Sequence, residues 1–206
     1  RNVTGVQTCA LPIFNPVTDV TPVILVGDTG MLLTVHPSLP VHSAKDLIAH
    51  DKTNPGKLNY GSSGTGSTPH LATELFAQMT GARMIHVPYK GNVLALNDLI
   101  AGQIQVNFGN IGNVLPMNKA QRVRALAISS GRRATGAPDI PTVGESVPGY
   151  EAALWYAVLA PKGLPMNILA RWNGELSRIL QMPDIRERFV ADGLEIDGGP
   201  AERFRE

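Results

Sequence analysis

"LNYGSSGTGSTPHLATELF", residues 58–76, carries the pattern on which the fold turns. A short apolar start reads as a strand and passes into a loop where Gly61, Gly64 and Gly66 alternate with hydroxyl side chains. A helix then follows, with Thr68 as its expected N-cap and Pro69 in the first helical position. Leu71, Ala72, Leu75, Phe76 and Met79 form one apolar helical face, and Thr80-Gly81 stops it. Strand, glycine loop and helix are the unit of an α/β fold. Ligands of open α/β sheets bind at the carboxyl ends of strands, where this loop lies.

The loop suits an anion. Backbone N–H groups around Gly64, Thr65 and Gly66 could form a nest, with the positive end of the following helix dipole directed to the same point. Ser62, Ser63, Thr65 and Ser67 add neutral hydroxyl donors. Two nucleotide readings fail. Pro69 stands where a dinucleotide fingerprint wants Gly or Ala, and Ser67 stands where a P-loop needs Lys. A carboxylate or a lone oxyanion fits better. The alternative is a plain βα turn whose glycines allow close packing. Catalysis is weakly supported. Position 65 is Thr where a nucleophile elbow needs Gly, and Ser67 with His70 at i, i+3 lacks a third group to orient the imidazole. The five His residues form no metal-ligand spacing, so neither a metal nor a cofactor is expected.

Outward from this stretch the unit repeats. "MIHVPY" is a strand, "GNVLALNDLIAG" a loop and helix, and "QIQVNF" a strand with Ile104, Val106 and Phe108 alternating. A short helix near Val114 to Lys119 leads to the strand "VRALAIS". Upstream, "PVILVG" and "MLLTVH" read as buried strands, and "SAKDLIAH" opens a helix with a capping-box pattern at Ser43 and Asp46. Downstream, "EAALWYAVLAP" is a strand. Pro165 to Gln181 is a helix with Ile168, Leu169, Trp172, Leu176, Ile179 and Leu180 on one face. "PDIRERFVADG" is a helix that stops at Gly193, and "PAERFRE" reads as the first turn of another. The alternation predicts an α/β fold with a mostly parallel sheet.

Bulk composition narrows the function. Of 206 residues, 43% are hydrophobic and 17% charged, which marks a folded chain rather than a disordered one. A net charge of +1 argues against a nucleic-acid surface. No apolar run approaches the length of a membrane span. A single cysteine, Cys9, excludes an internal disulfide and a cysteine-rich zinc site, and reads as an inert thiol.

Several long motifs in order carry a resemblance. "PGKLNYGSSGTGSTPHLATELF", "HVPYKGNVLALNDLIAGQI", "VRALAISSGRR", "APDIPTVGESVPGYEAALWYAVLAPKGLP" and "EIDGGPAERF" resemble the substrate-binding proteins of tripartite tricarboxylate transporters, the Bug or TctC family. The resemblance runs from about Asn15 to the end. It implies a type II periplasmic-binding-protein-like α/β fold with two lobes, one of them incomplete. Residues 15–37 and 123–206 would form the partial lobe and residues 38–122 the intact one, with crossings near Leu33 to His36 and Arg124 to Ser129. The strands at Tyr60 and Met84 should share a sheet. Residues 1–14 match nothing familiar and are expected to be a foreign leader. The family's signal peptide, first βα unit and final helices are missing, so the chain is expected to be a fragment.

The function implied is that of a monomeric periplasmic receptor, not an enzyme. It would capture a small organic acid and deliver it to membrane permease subunits. By position, the glycine loop supplies donors from Ser62 through Ser67, with His70 beside it. Tyr89, Lys90 and Gly91 stand in a second loop, where Lys90 is the cation for a carboxylate. Asn110 stands in a third loop. Gly109 occupies a place where many family members have Asp, which leaves no carboxylate there to favour an amino-bearing ligand. Trp155 falls at a family Trp motif and serves equally as core packing. Two other classes stay open: the ligand-sensing domain of a transcription regulator, which would need a helix-turn-helix that is not evident, and a hydrolase.

Overall fold

A computed structural model describes residue 15 and residues 18–198. The expected foreign leader, Cys9 and the expected last helical turn at 200–206 lie outside the described residues. The strands are β1 (Val20–Thr29), β2 (Met31–Val35), β3 (Asn59–Ser62), β4 (Ile85–Pro88), β5 (Val106–Asn110), β6 (Arg124–Ile128), β7 (Leu154–Pro161) and β8 (Glu195–Ile196). The helices are α1 (Ala44–Thr53), α2 (Thr68–Thr80), α3 (Asn92–Ile100), α4 (Ile111–Lys119), α5 (Met166–Leu180) and α6 (Pro183–Ala191). One sheet has the order β4-β3-β5-β2-β6, and a second has the order β7-β1-β8.

In the five-stranded sheet β3 pairs in parallel with both β4 and β5. The strands at Tyr60 and Met84 therefore belong to one sheet, as expected. β2 runs antiparallel to both β5 and β6, which corrects the mostly parallel reading at its centre. All five residues of β2 are buried. A strand covered on both faces reads as a continuous apolar run whichever way it points.

Two apolar clusters cover the sheet. Leu33, Val35, Leu47, Tyr60, Phe76, Phe108 and Tyr150 meet in one. Leu32, Ala95, Leu99, Ile104, Ile111 and Val114 meet in the other. α1 begins as its sequence suggests, with Asp46 N–H donating to Ser43 Oγ at 3.1 Å. The Asp46 carboxylate reaches one residue further back than a capping box requires, accepting from His42 N–H at 3.0 Å. That bond and the Ser43 hydroxyl hold its pKa below the usual carboxylate value.

α2 departs from its expected start and face. Its N-cap is Ser67, and Pro69 falls within its first turn. The buried residues are Pro69, Ala72, Thr73 and Phe76, while Leu71 and Met79 are 58% and 40% exposed. Burial of Thr73 is tolerated because its hydroxyl donates to the Pro69 carbonyl at 2.7 Å. The stop is as expected: Gly81 takes the left-handed conformation at φ 75°.

The chain divides into two compact units. The larger spans Asp28–Leu154 and Arg186–Ile196. The smaller takes the described residues up to Gly27, Trp155–Ile185, and those from Asp197 onward. This division differs from the expected break at residues 38 and 122. β2 and β6, read as crossings between lobes, are full members of the five-stranded sheet. In the smaller unit Asn173 Nδ2 donates to the Val23 carbonyl at 2.8 Å, which holds α5 against β1. The apolar stripe of α5 has the expected period, yet only Leu180 on it is buried. Ile168, Trp172 and Ile179 are exposed, as are Trp155 and Tyr156 on β7. Both tryptophans thus belong to the smaller unit.

Candidate functional site

Parallel strands β4, β3 and β5 lie side by side, so the loops that follow them emerge at one edge of the sheet. Each loop leads into a helix, and the N-termini of α2, α3 and α4 share that edge. None of the three carries a side-chain cap, and none has an acid in its first turn. α1 differs, with Ser43 as cap and Asp46 in its first turn. The 3-10 turn at Val143–Glu145 differs likewise, with a full capping box from Thr142 and Glu145. The uncapped ends keep their backbone N–H groups and positive dipole ends for something else.

The glycines of the first loop do two kinds of work. A Cβ on Gly61 would meet Ile104 Cδ1 at 2.5 Å and Ala95 Cβ at 3.0 Å, so this glycine serves close packing against α3. Gly64 and Gly66 have φ of +130° and +80°, a backbone that other residues rarely adopt. Their conformations turn two of the three expected nest donors inward. Gly64 N–H donates to Ser62 Oγ at 3.2 Å, and Gly66 N–H donates to His70 Nδ1 at 3.1 Å. Among the described residues Thr65 N–H has no intramolecular acceptor. Thr68 and His70 precede the first i to i−4 bond of α2, from Leu71 N–H to the Ser67 carbonyl.

The loop hydroxyls are largely committed to the loop. The Gly64 carbonyl accepts from Ser67 Oγ at 2.6 Å and from Ser67 N–H at 3.1 Å, with Ser62 Oγ at 3.1 Å. Ser62 is fully buried and also meets His86 Nε2 at 2.7 Å. Thr65 and Gly66 are exposed and Ser63 is half-buried. Ser67→Ala should therefore act through the loop, not as a lost helix cap. Two donors remain on the Gly64 carbonyl, so the loss should lie near the lower end of about 0.5–1.5 kcal/mol. Urea unfolding would measure it, and a loss well above that range would mean that Ser67 alone holds the turn.

Beside the loop three rings cluster. Tyr60 lies 4.9 Å from His86, and His86 lies 4.1 Å from His70, measured between ring centres. The Tyr60 hydroxyl donates to Glu74 Oε1 at 2.5 Å. Burial, with that bond next, raises the Tyr60 pKa. Burial, followed by the neighbouring His70, lowers the pKa of His86. Sequence reading missed His86 and Glu74. The parallel register that sets Tyr60 opposite His86 is a long-range fact, and a lone His in a strand carries no signal of it.

The second and third loops adjoin the first. Tyr89 N–H donates to the Ser62 carbonyl at 3.0 Å. Its hydroxyl donates to Asp98 Oδ2 at 2.7 Å, and burial, then Asp98, pushes the phenol up to about 12. Tyr89 thus braces α3 by its side chain. Lys90 is exposed and is the one cation among the residues singled out from sequence. Gly91 is the N-cap of α3 at φ 139°. Asn92, also missed by sequence reading, ties two loops together, its Nδ2 donating to the Phe108 carbonyl at 3.1 Å and to Asn110 Oδ1 at 3.4 Å. Asn110 is the exposed N-cap of α4. Trp155 belongs to the other unit, on β7.

Comparison with known proteins follows the same outline. A family model described as "Tripartite tricarboxylate transporter family receptor" matches residues 8–203, which reaches back into the stretch expected to be foreign. The chain is 38% identical over 176 residues to Protein BugT of Bordetella pertussis, covering 85% of this chain and 54% of that protein. It is similar to the solved structure "R. palustris Rpa4515 with adipate", with TM-score 0.85 and 38% identity over 93% of this chain and 64% of that one. "MatC (Rpa3494) from Rhodopseudomonas palustris with bound malate" gives TM-score 0.79 and 28% identity over 89% and 63%. The fold is thus the mixed α/β fold of periplasmic binding proteins. The chain spans about half the length of BugT.

Proposed function

Since the chain belongs to the tripartite tricarboxylate transporter receptor family, we propose that it captures a small dicarboxylate in the periplasm and delivers it to the membrane permease subunits of such a transporter. The family is one of solute receptors, and the proposed role includes no turnover of the ligand.

Three bare helix ends carry this reading. Where α2, α3 and α4 meet the sheet edge, side-chain caps and first-turn acids are missing together. Either would compete with a bound carboxylate for the same N–H groups and the same dipole. Thr65 N–H and the first-turn donors of α2 would receive one carboxylate, with Ser63 beside them. Lys90 would supply charge from the second loop, and Gly91 and Asn110 would border the ligand. Hydrogen bonds to a charged group are worth about 1.5–3 kcal/mol each, so a few of them suffice for tight capture. Adipate and malate, named with two of the similar structures, are both dicarboxylates and set the size class to test.

Thermal denaturation of the chain with and without added acid tests the reading. Adipate or malate at a hundred times its dissociation constant should stabilise the fold by about 2.7 kcal/mol, and the matching diol should not. The proposal fails if neither acid, nor any other short dicarboxylate, shifts the transition.

A further inference from the structure

The hydrogen bond between Gly66 and His70 has a direction, and the direction has consequences. Gly66 N–H donates to Nδ1 at 3.1 Å, so the neutral His70 ring carries its proton on Nε2 and offers Nδ1 as an acceptor. A proton added at Nδ1 turns that acceptor into a donor. The bond to Gly66 then cannot persist. The exposed Gly66 N–H is released at the surface of the loop, and a cationic N–H group appears beside it.

We propose that His70 couples the donor set of the glycine loop to pH, so that a carboxylate and a proton bind there together. This rests on the receptor reading for the identity of the anion; the coupling of loop to ring does not. The groups that meet the His70 ring assign the proton to it. From β4, His86 lies tilted against it at 4.1 Å between ring centres, and two cationic rings at that separation repel each other. Burial opposes the charging of His86, and its Nε2 is engaged with Ser62 Oγ. From β3, Tyr60 contacts both imidazoles, its ring centre 4.9 Å from that of His86 and 6.4 Å from that of His70. Glu74, one turn along α2, accepts from the Tyr60 hydroxyl and leaves a negative charge near the pair. One proton enters the cluster more readily than two, and His70 is the ring bonded to the Gly66 amide.

The sign follows from linkage. A bound anion favours the protonated ring, and by the same linkage the protonated ring favours the anion. Affinity therefore rises as pH falls through the titration of the ring and levels off below it.

Two measurements decide the matter. In the ligand-free chain, the Gly66 amide resonance should move with pH along the same curve as the His70 ring signals. In His70→Asn, whose amide oxygen can keep the bond to Gly66 but cannot titrate, that movement should vanish while the spectrum stays folded. Adipate should bind about threefold more tightly at about pH 6.5 than at about pH 8, a range in which it stays a dianion, with net proton uptake in calorimetry. His70→Asn should bind it equally at both. A Gly66 amide that stays still while His70 titrates overturns the coupling, and so does pH-independent adipate binding by the parent chain. Complete failure to bind adipate or any other dicarboxylate counts against the receptor reading, and the amide titration then decides the coupling alone.

Discussion

Phe76→Ala should lower the unfolding free energy of the larger unit by about 3–5 kcal/mol. Phe76 is fully buried on α2. It meets Phe108 edge-on at 6.4 Å and Tyr150 edge-on at 6.2 Å, while those two rings stack on each other at 6.3 Å. Truncation removes the apex of this triangle and leaves a cavity against the central sheet. Tyr150 would also lose the packing that presents its hydroxyl to the Ala72 carbonyl at 3.0 Å, a bond inside the core. A domain of this kind has about 5–15 kcal/mol in total, so the variant should stand close to its folding threshold. Urea unfolding followed by far-UV circular dichroism measures the loss. Leu71→Ala on the same helix, at an exposed site, should cost no more than about 0.5 kcal/mol. Equal losses for the two would mean that α2 is anchored by the face its apolar period suggests and not by the face it buries.

Gly64→Val should weaken adipate binding by about tenfold or more while leaving the fold in place. Space is not the obstacle, since a Cβ there would meet only the Tyr89 carbonyl, at an ordinary 3.5 Å. The obstacle is φ +130°, which costs a β-branched residue about 1–3 kcal/mol of backbone strain. Relief of that strain means turning the peptide, and the Gly64 carbonyl is where Ser62 and Ser67 converge. A turned carbonyl would dismantle the loop at the end of β3 and displace Thr65 N–H. Titration calorimetry of the folded variant gives the answer. Affinity within about twofold of the parent would show that the loop geometry is irrelevant to the anion and that the site lies elsewhere.

Much of this was legible in the residues, and the misses have physical causes. The strand, loop and helix at 58–80 could be read because glycines, a proline and an apolar period all point the same way there. The buried face of α2 could not, because a period of apolar residues ignores Thr73, whose hydroxyl bonds within its own helix and so enters the core. The reversal of β2 was hidden because an apolar run does not record its direction. In the glycine loop the expected free donors were overcounted: Gly64 and Gly66 direct their N–H groups to Ser62 and His70. Asn92 and His86 were missed because each acts through a partner distant in sequence, Phe108 in one case and Ser62 in the other. The α5 stripe was read correctly as a pattern, and its exposure was not foreseen.

The placement of both tryptophans in the smaller unit splits the optical signature of the molecule. Indole emission reports on β7 and α5 alone, where Trp155 and Trp172 are 61% and 49% exposed and should fluoresce toward the red from the outset. The five-stranded sheet is dark in that channel. Its chromophores are the phenols Tyr60, Tyr89 and Tyr150, of which Tyr60 and Tyr150 are buried. Near-ultraviolet tyrosine dichroism is thus the channel in which melting of the glycine-loop lobe becomes visible. An emission trace that stays flat on heating would say nothing about whether that lobe has survived.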